Sequence, residues 1–271
     1  MTNLPAILTQ KLYVPSVYLK REVHLDIYLP AIHKNGSVFN LLLINDGQDM
    51  EKMKFASILE NGYQQKEVMQ PLLCVGIHAG PERKREYGIA GHPDYKERGD
   101  RAGVYTSFIL EELLAFIYNK YPGYSYSEKA FAGFSLGALS SMDIVWNHPE
   151  EFCKAGCFSP SFWWRNLDQH DPGYNDDKHR IMHQLIRNGK NAPSLKFFFQ
   201  CGNKDETKDR NKNGIIDSID DTLDLIKELV AKGYDLEKEI RYLEIQDGHH
   251  DVYTWGRAMP EFLKWGWGRS K

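Results

Sequence analysis

The sequence predicts an α/β fold, a mostly parallel central sheet with helices on both faces, formed as one domain over residues 1–271. Three observations predict it. Short apolar runs of strand length alternate with helical patterns along the chain, which implies a largely parallel sheet covered on both sides. A length of 271 residues with 42% apolar content is enough for one large core. A Gly-x-Ser-x-Gly pentapeptide stands between an apolar run and a helical pattern.

The elements follow in order. Residues 22–29 alternate polar and apolar as a half-buried strand does. Residues 38–44 form an apolar run closed by the turn signal Asn45-Asp46-Gly47, and residues 72–77 (LLCVGI) form another. Residues 107–118 have helical spacing, with Glu111 and Glu112 expected on the wet face. A short strand is predicted at 130–133 and a helix at 136–146, followed by strands at 154–158 and 196–201. A helix at 222–231, a strand at 240–245 and a closing helix at 258–265 complete the series. Two long polar connections, 78–105 and 160–194, are expected to overhang the carboxyl ends of the strands, where open α/β sheets bind ligands.

Composition narrows the function. With 34 basic and 37 acidic residues the formal charge is −3, and no basic stripe is present, which argues against a nucleic-acid partner. No run approaches 18 apolar residues, so no membrane span is expected. The amino terminus has no signal-peptide pattern, and the expectation is a cytoplasmic protein; a chain already stripped of its signal, periplasmic or secreted, would read the same. The four cysteines, at 74, 153, 157 and 201, lack the paired spacing of structural zinc and read as free core thiols.

The chemistry centres on Gly133-Phe134-Ser135-Leu136-Gly137. A strand-turn-helix with this pattern is a nucleophile elbow: small residues permit a very tight turn that lifts the serine hydroxyl above the sheet. The Leu136 N–H then becomes an oxyanion donor. Its alternative is a glycine-rich turn opening an ordinary helix. A serine nucleophile needs a base, and the base needs an anion, in the chain order Ser, acid, His. Asp205 follows the strand at 196–201 most closely, ahead of Glu206, Asp209 and Asp251. The last strand runs into His249-His250, and the residues themselves barely choose between the two histidines.

With these segments in place the chain resembles the putative-esterase family of α/β-hydrolases, which includes enterochelin esterases, feruloyl and acetylxylan esterases and mycolyltransferases. The resemblance runs through Tyr28-Leu-Pro30, residues 43–48 (LINDGQ), Val75-Gly-Ile77 with Arg85-Glu-Tyr87, the elbow, residues 158–163 (FSPSFW), the 202–205 turn and residues 248–255. It implies the α/β-hydrolase fold and a tryptophan five residues after the catalytic histidine, which puts His250 in register with Trp255. His249 is then a departure, standing where glycine is more usual, and could touch substrate. The resemblance also implies a second oxyanion amide at Gln48 and a pocket bordered by Trp163 and Trp164, with core packing the alternative for both. Among the basic residues 83–85, Arg85 is expected to line the pocket if the substrate is anionic.

The implied reaction is double displacement through an acyl-enzyme with no cofactor in the chemistry. The substrate would be a small-molecule or glycan ester, such as a carbohydrate-linked acetyl or feruloyl ester or a siderophore ester. Acyl transfer to a sugar or alcohol, and an inactive carbohydrate-binding scaffold, are the alternatives. Lastly, Asp209, Asn211, Asn213, Ile215, Asp217 and Asp220 occupy positions 1, 3, 5, 7, 9 and 12 of a calcium-loop spacing with Gly214 at position 6. The spacing suggests a structural Ca²⁺; the alternative is a polar turn capping the following helix.

Overall fold

The computed structural model describes residues 6–31, 36–192 and 194–268. Among these residues eight strands form one sheet in the order β1-β2-β4-β3-β5-β6-β7-β8. These are β1 (Ile7–Ser16), β2 (Arg21–Pro30), β3 (Val38–Asn45), β4 (Leu72–Ile77), β5 (Ser125–Phe134), β6 (Lys154–Phe158), β7 (Lys196–Lys204) and β8 (Ile240–His249). The first two make an antiparallel hairpin, β2 meets β4 antiparallel, and every other neighbour is parallel. This mixed, mostly parallel sheet flanked by helices is the α/β-hydrolase arrangement.

Period-two alternation builds a core on each face. In β3, Leu41 and Leu43 turn to one side with Val75, Phe131 and Phe197. Leu42 and Ile44 turn to the other with Cys74, Ala132 and Phe198. The second face is covered by α1 (Phe55–Gln64) and the carboxyl-terminal α6 (Val252–Trp267), whose Phe262 and Trp267 are buried. The first face takes the helical stretch α2, built from Ala102–Ser107, a wider π-type turn at Phe108–Leu113 and Leu114–Lys120. It also takes α3 (Leu136–Asn147), α4 (Ile181–Asn188) and α5 (Asp217–Ala231).

Two features correct the sequence reading. Glu112 does not simply face water: its carboxylate accepts from the Val17 amide at 2.8 Å and from the Ser16 hydroxyl, closing the β1–β2 turn. The helix expected at 222–231 begins at Asp217, so the last positions of the 209–220 spacing are its first turn.

The long connections are stitched down by polar contacts. In 78–105, buried Glu86 accepts from Arg21 Nη2 at 2.8 Å, and the Asp143 carboxylate of α3 accepts from the Ala90 amide at 2.9 Å. In 160–194, Arg180 donates to Asp221 and Asp224 of α5, both at 2.8 Å, while Arg210 donates to Asp221 at 2.6 Å and to Asp176 at 3.0 Å. Such a buried ion network resists opening because loss of one partner strands a desolvated charge. No helix among the described residues is long and apolar enough to cross a membrane.

Candidate active site

The site lies at the carboxyl ends of β3, β5, β6, β7 and β8. Strand β5 stops at Phe134, and Ser135 turns the chain into α3 at φ 56°, ψ −120°. A side chain at positive φ is uncommon, and such strain persists only where the surroundings impose it. Here they do. A Cβ added to Gly133 would lie 2.4 Å from the Gly137 carbonyl carbon and oxygen, and one on Gly137 would lie 2.8 Å from Asp46 Oδ2. The Ser135 amide donates to Phe158 O at 2.9 Å, and Asn45 Nδ2 donates to Gly137 O at 2.9 Å. The hydroxyl of Ser135 is only partly covered and lies 3.4 Å from Ser161 Oγ.

The end of β3 lies under this turn. Asp46 is buried in the left-handed conformation, and Arg83 clamps its carboxylate through Nε at 2.6 Å and Nη2 at 2.7 Å. Gly47 presses on β4, where an added Cβ would meet Gly76 C at 2.4 Å. The one-turn helix Gly47–Asp49 then places the Gln48 amide in a first turn, as α3 does for Leu136. First-turn amides have no intrahelical acceptor, so both are available to an anion.

Asp205 and His250 leave β7 and β8 side by side because Gly202 and Gly248 touch: a Cβ on Gly202 would lie 2.4 Å from Gly248 O. Asp205 Oδ2 accepts from the Gly202 amide at 3.0 Å, whereas Oδ1 is buried without a partner. Burial pushes the Asp205 carboxyl above its ordinary pKa, against the Gly202 amide, the Ser159 hydroxyl and the His250 charge. His250 is exposed to solvent on one side and packs edge-on against Trp255, with centroids 5.5 Å apart. Desolvation by the protein around its ring holds its pKa below the usual imidazole value; Asp205 opposes this and Arg83 reinforces it. Trp255 in turn donates to Ser159 Oγ at 2.9 Å and stacks on Phe134 beneath the elbow. Among the described residues no hydrogen bond or ion pair joins His250 to Asp205 or Ser135.

The structure thus brings Ser135, Leu136, Gln48, Asp205 and His250 to one edge. His249 ends β8 opposite Lys204 and is exposed beside them. Trp163 is half-buried under the Arg98 guanidinium, 4.8 Å from its ring. Trp164 does not line a pocket: it is fully buried, donates to His92 O at 3.0 Å and fills the space left by Gly88 and Gly99. Arg85 is turned aside to Asp100 and Glu82, and Arg83 is the cation that reaches the site. Arg83 carries no motif, and Ser159 and Ser161 lie in the 158–163 segment without an expected role; Ser159, at positive φ directly after a buried strand, marks a turn that something holds.

In the 209–220 loop, Asn211 Nδ2 and Asn213 Nδ2 both reach Asp220 Oδ2 at 2.8 Å, and Asp209 accepts from the amides of Asn213 and Gly214. Asp217 is taken by Arg210, and Ile215 is exposed. No group of three or more His, Cys, Asp or Glu side chains placed to hold a metal occurs among the described residues.

The family model described as "Esterase: Putative esterase" matches residues 16–265, so the chain belongs to that α/β-hydrolase esterase family. An uncharacterized protein of Bacillus subtilis, YjcH, is 23% identical over 252 residues, 91% of this chain and 92% of that protein. The enterobactin esterase of Shigella flexneri, solved with enterobactin, superposes with a TM-score of 0.72 at 18% identity. That match covers 96% of this chain and 58% of the Shigella chain, so this chain spans about three-fifths of that protein's length. The siderophore hydrolase EstB of Aspergillus nidulans superposes at 0.67 and 16% identity, covering 100% and 99% of the two chains. A ferulic acid esterase does so at 0.66 and 17% identity, covering 96% and 97%.

The contacts at the elbow give one direct test of packing. Gly133→Ala is expected to lose roughly 1–3 kcal/mol of stability, because its methyl meets backbone that cannot retreat. A lower urea midpoint at unchanged slope checks this.

Proposed function

We propose that the protein is a serine carboxylic-ester hydrolase in which Ser135 is the nucleophile, His250 the base and Asp205 the group that orients the histidine. The observation that carries this reading is the strained serine at the start of α3, on the same sheet edge as the end of β7 two strands away, where Asp205 Oδ1 is buried without a donor. A buried acceptor left unpaired calls for an explanation, and an imidazole N–H arriving at Asp205 provides one.

His250 takes the Ser135 proton as Oγ bonds to the ester carbonyl carbon. The carbonyl electron pair moves to oxygen, where the amides of Leu136 and Gln48 hold the anion. Collapse expels the alcohol, protonated by His250, and water repeats the sequence to release the acid. The depressed pKa of His250 keeps the imidazole neutral, and therefore competent as a base, at neutral pH.

Small soluble esters are the substrates this site suits, and likeness to siderophore and feruloyl esterases favours aryl-bearing or lactone esters. The spacing of oxygen-bearing side chains at 209–220 is what supports calcium as a structural ion of that loop, and the Asn211 and Asn213 amides, which now donate to Asp220, would have to turn their oxygens to it.

Turnover of 4-nitrophenyl acetate and a feruloyl ester is expected to fall at least 1000-fold in Ser135→Ala. Equal rates for the variant and the parent protein would refute the assignment. The acid limb of kcat/KM should lie below the ordinary imidazole pKa of about 6.5, since the rate is lost only as pH falls through the depressed value. For the loop, scanning calorimetry should give a higher Tm with calcium than with EDTA; coincident curves would remove the ion from the reading.

A further inference from the structure

A cavity of about 390 Å³ lies beside the site, between the 94–98 turn, the 163–170 segment and the residues that follow Asp205. Trp163 forms one wall two residues after Ser161, which lies against Ser135, and Glu206 and Lys208 form another immediately beyond Asp205. Arg165 belongs to the same lining and is only 9% exposed.

The guanidinium of Arg165 is treated differently from its two neighbours. Arg180 and Arg210 each contact two or more carboxylates. Arg165 contacts none: Nε donates to Trp163 O at 2.9 Å and Nη1 to Gln169 Oε1 at 2.7 Å, both neutral acceptors. Two of its five N–H donors are therefore used, and Nη2 has no acceptor among the described residues. A cation this deeply buried ordinarily has an anionic partner.

The lining holds the carboxylates of Asp168, Glu206 and Asp217, but among the described residues none of them pairs with Arg165. Asp217 is bound to Arg210, and burial pushes the Glu206 carboxyl toward its neutral form. Lys96 and Lys208 are exposed at the rim and make no ion pair among the described residues, while Asp168 spends one oxygen on the His170 amide. The cavity thus joins a buried guanidinium that has no ion pair and lies 5.5 Å from the Tyr174 ring, the ammonium groups of Lys96 and Lys208, and the edge of a tryptophan.

We propose that this cavity is the subsite for the anionic part of the ester substrate, an aromatic carboxylate whose charge meets Arg165 and whose ring packs on Trp163. The proposal rests on the esterase reading and refines it: the enzyme selects esters carrying an acidic aryl group. A planar carboxylate suits the guanidinium, and the rim lysines raise its local concentration.

Binding to the full-length Ser135→Ala protein tests this without turnover. Titration calorimetry with N-benzoylglycine and its neutral amide should show the acid binding at least tenfold tighter, with the preference shrinking as salt rises. Arg165→Gln should bring the acid down to the level of the amide, whereas Trp163→Ala should weaken both ligands. Should Arg165→Gln fail to fold by circular dichroism, Lys208→Gln at the exposed rim serves, with an expected loss of about threefold for the acid alone. Equal binding of acid and amide, no binding of the acid, or an unchanged acid affinity in a folded Arg165→Gln protein would overturn the subsite. Hydrolysis of 4-nitrophenyl acetate by the parent protein, measured in parallel, tells failure of the subsite from failure of the esterase reading.

Discussion

The whole site depends on one steric constraint, the collision-tight return of the backbone at Gly133-Phe134-Ser135-Leu136-Gly137. Two glycines let the chain pass over itself with backbone atoms where side chains would otherwise be. The turn stores roughly 1–3 kcal/mol at Ser135, by the usual cost of a non-glycine residue outside its preferred regions. That cost is offset by neighbours acting together. Phe158 O holds the serine amide, Asn45 holds the first turn of α3, and the buried Phe134 and Trp255 rings stack directly below. Release of any one of these would let the serine relax toward an ordinary helix start.

The same crowding sets the electrostatics. Asp46 is forced beneath Gly137 and is tolerated there because Arg83 neutralises it with two short hydrogen bonds. The Arg83 charge is then felt by His250, whose proton affinity is lowered by the protein packed around its ring and by that cation. Packing at the elbow thus reaches the histidine through an ion pair that touches neither the serine nor Asp205. On the opposite side, the Arg180–Asp221–Arg210 network fixes the segment that carries Trp163 and Arg165 to α5. The walls of the cleft are therefore anchored to the core although they are formed by connections.

Much of this was legible from residue order. The strands Leu72–Ile77 and Lys154–Phe158 read directly because both are buried on both faces and so uniformly apolar or tightly bounded. Strands β5 and β8 extend beyond their apolar centres because their outer residues are half-exposed, which erases the contrast on which a pattern depends. Helix Phe55–Gln64 escaped notice since only Phe55 and Leu59 are buried in it. The glycine-serine pentapeptide and the acidic and histidine turns stand out because the chemistry restricts which residues can occupy them. The expectation of Arg85 in the pocket fails in favour of Arg83, because a single helical turn decides which of them faces Asp46 and which meets Asp100. Trp164 likewise reads as a pocket wall or as core, and only the glycines that accommodate it, far away in sequence, decide for the core.

The cysteines have a practical consequence. Cys74, Cys157 and Cys201 are sealed in the core, and burial drives each thiol far from ionisation; Cys153 is half-covered and shifted the same way. Alkylation requires the thiolate, so the native protein is nearly silent toward maleimides. A single cysteine introduced on the cleft rim would thus be labelled almost alone, and a fluorophore placed there would report on a ligand entering the cleft without background from the natural thiols.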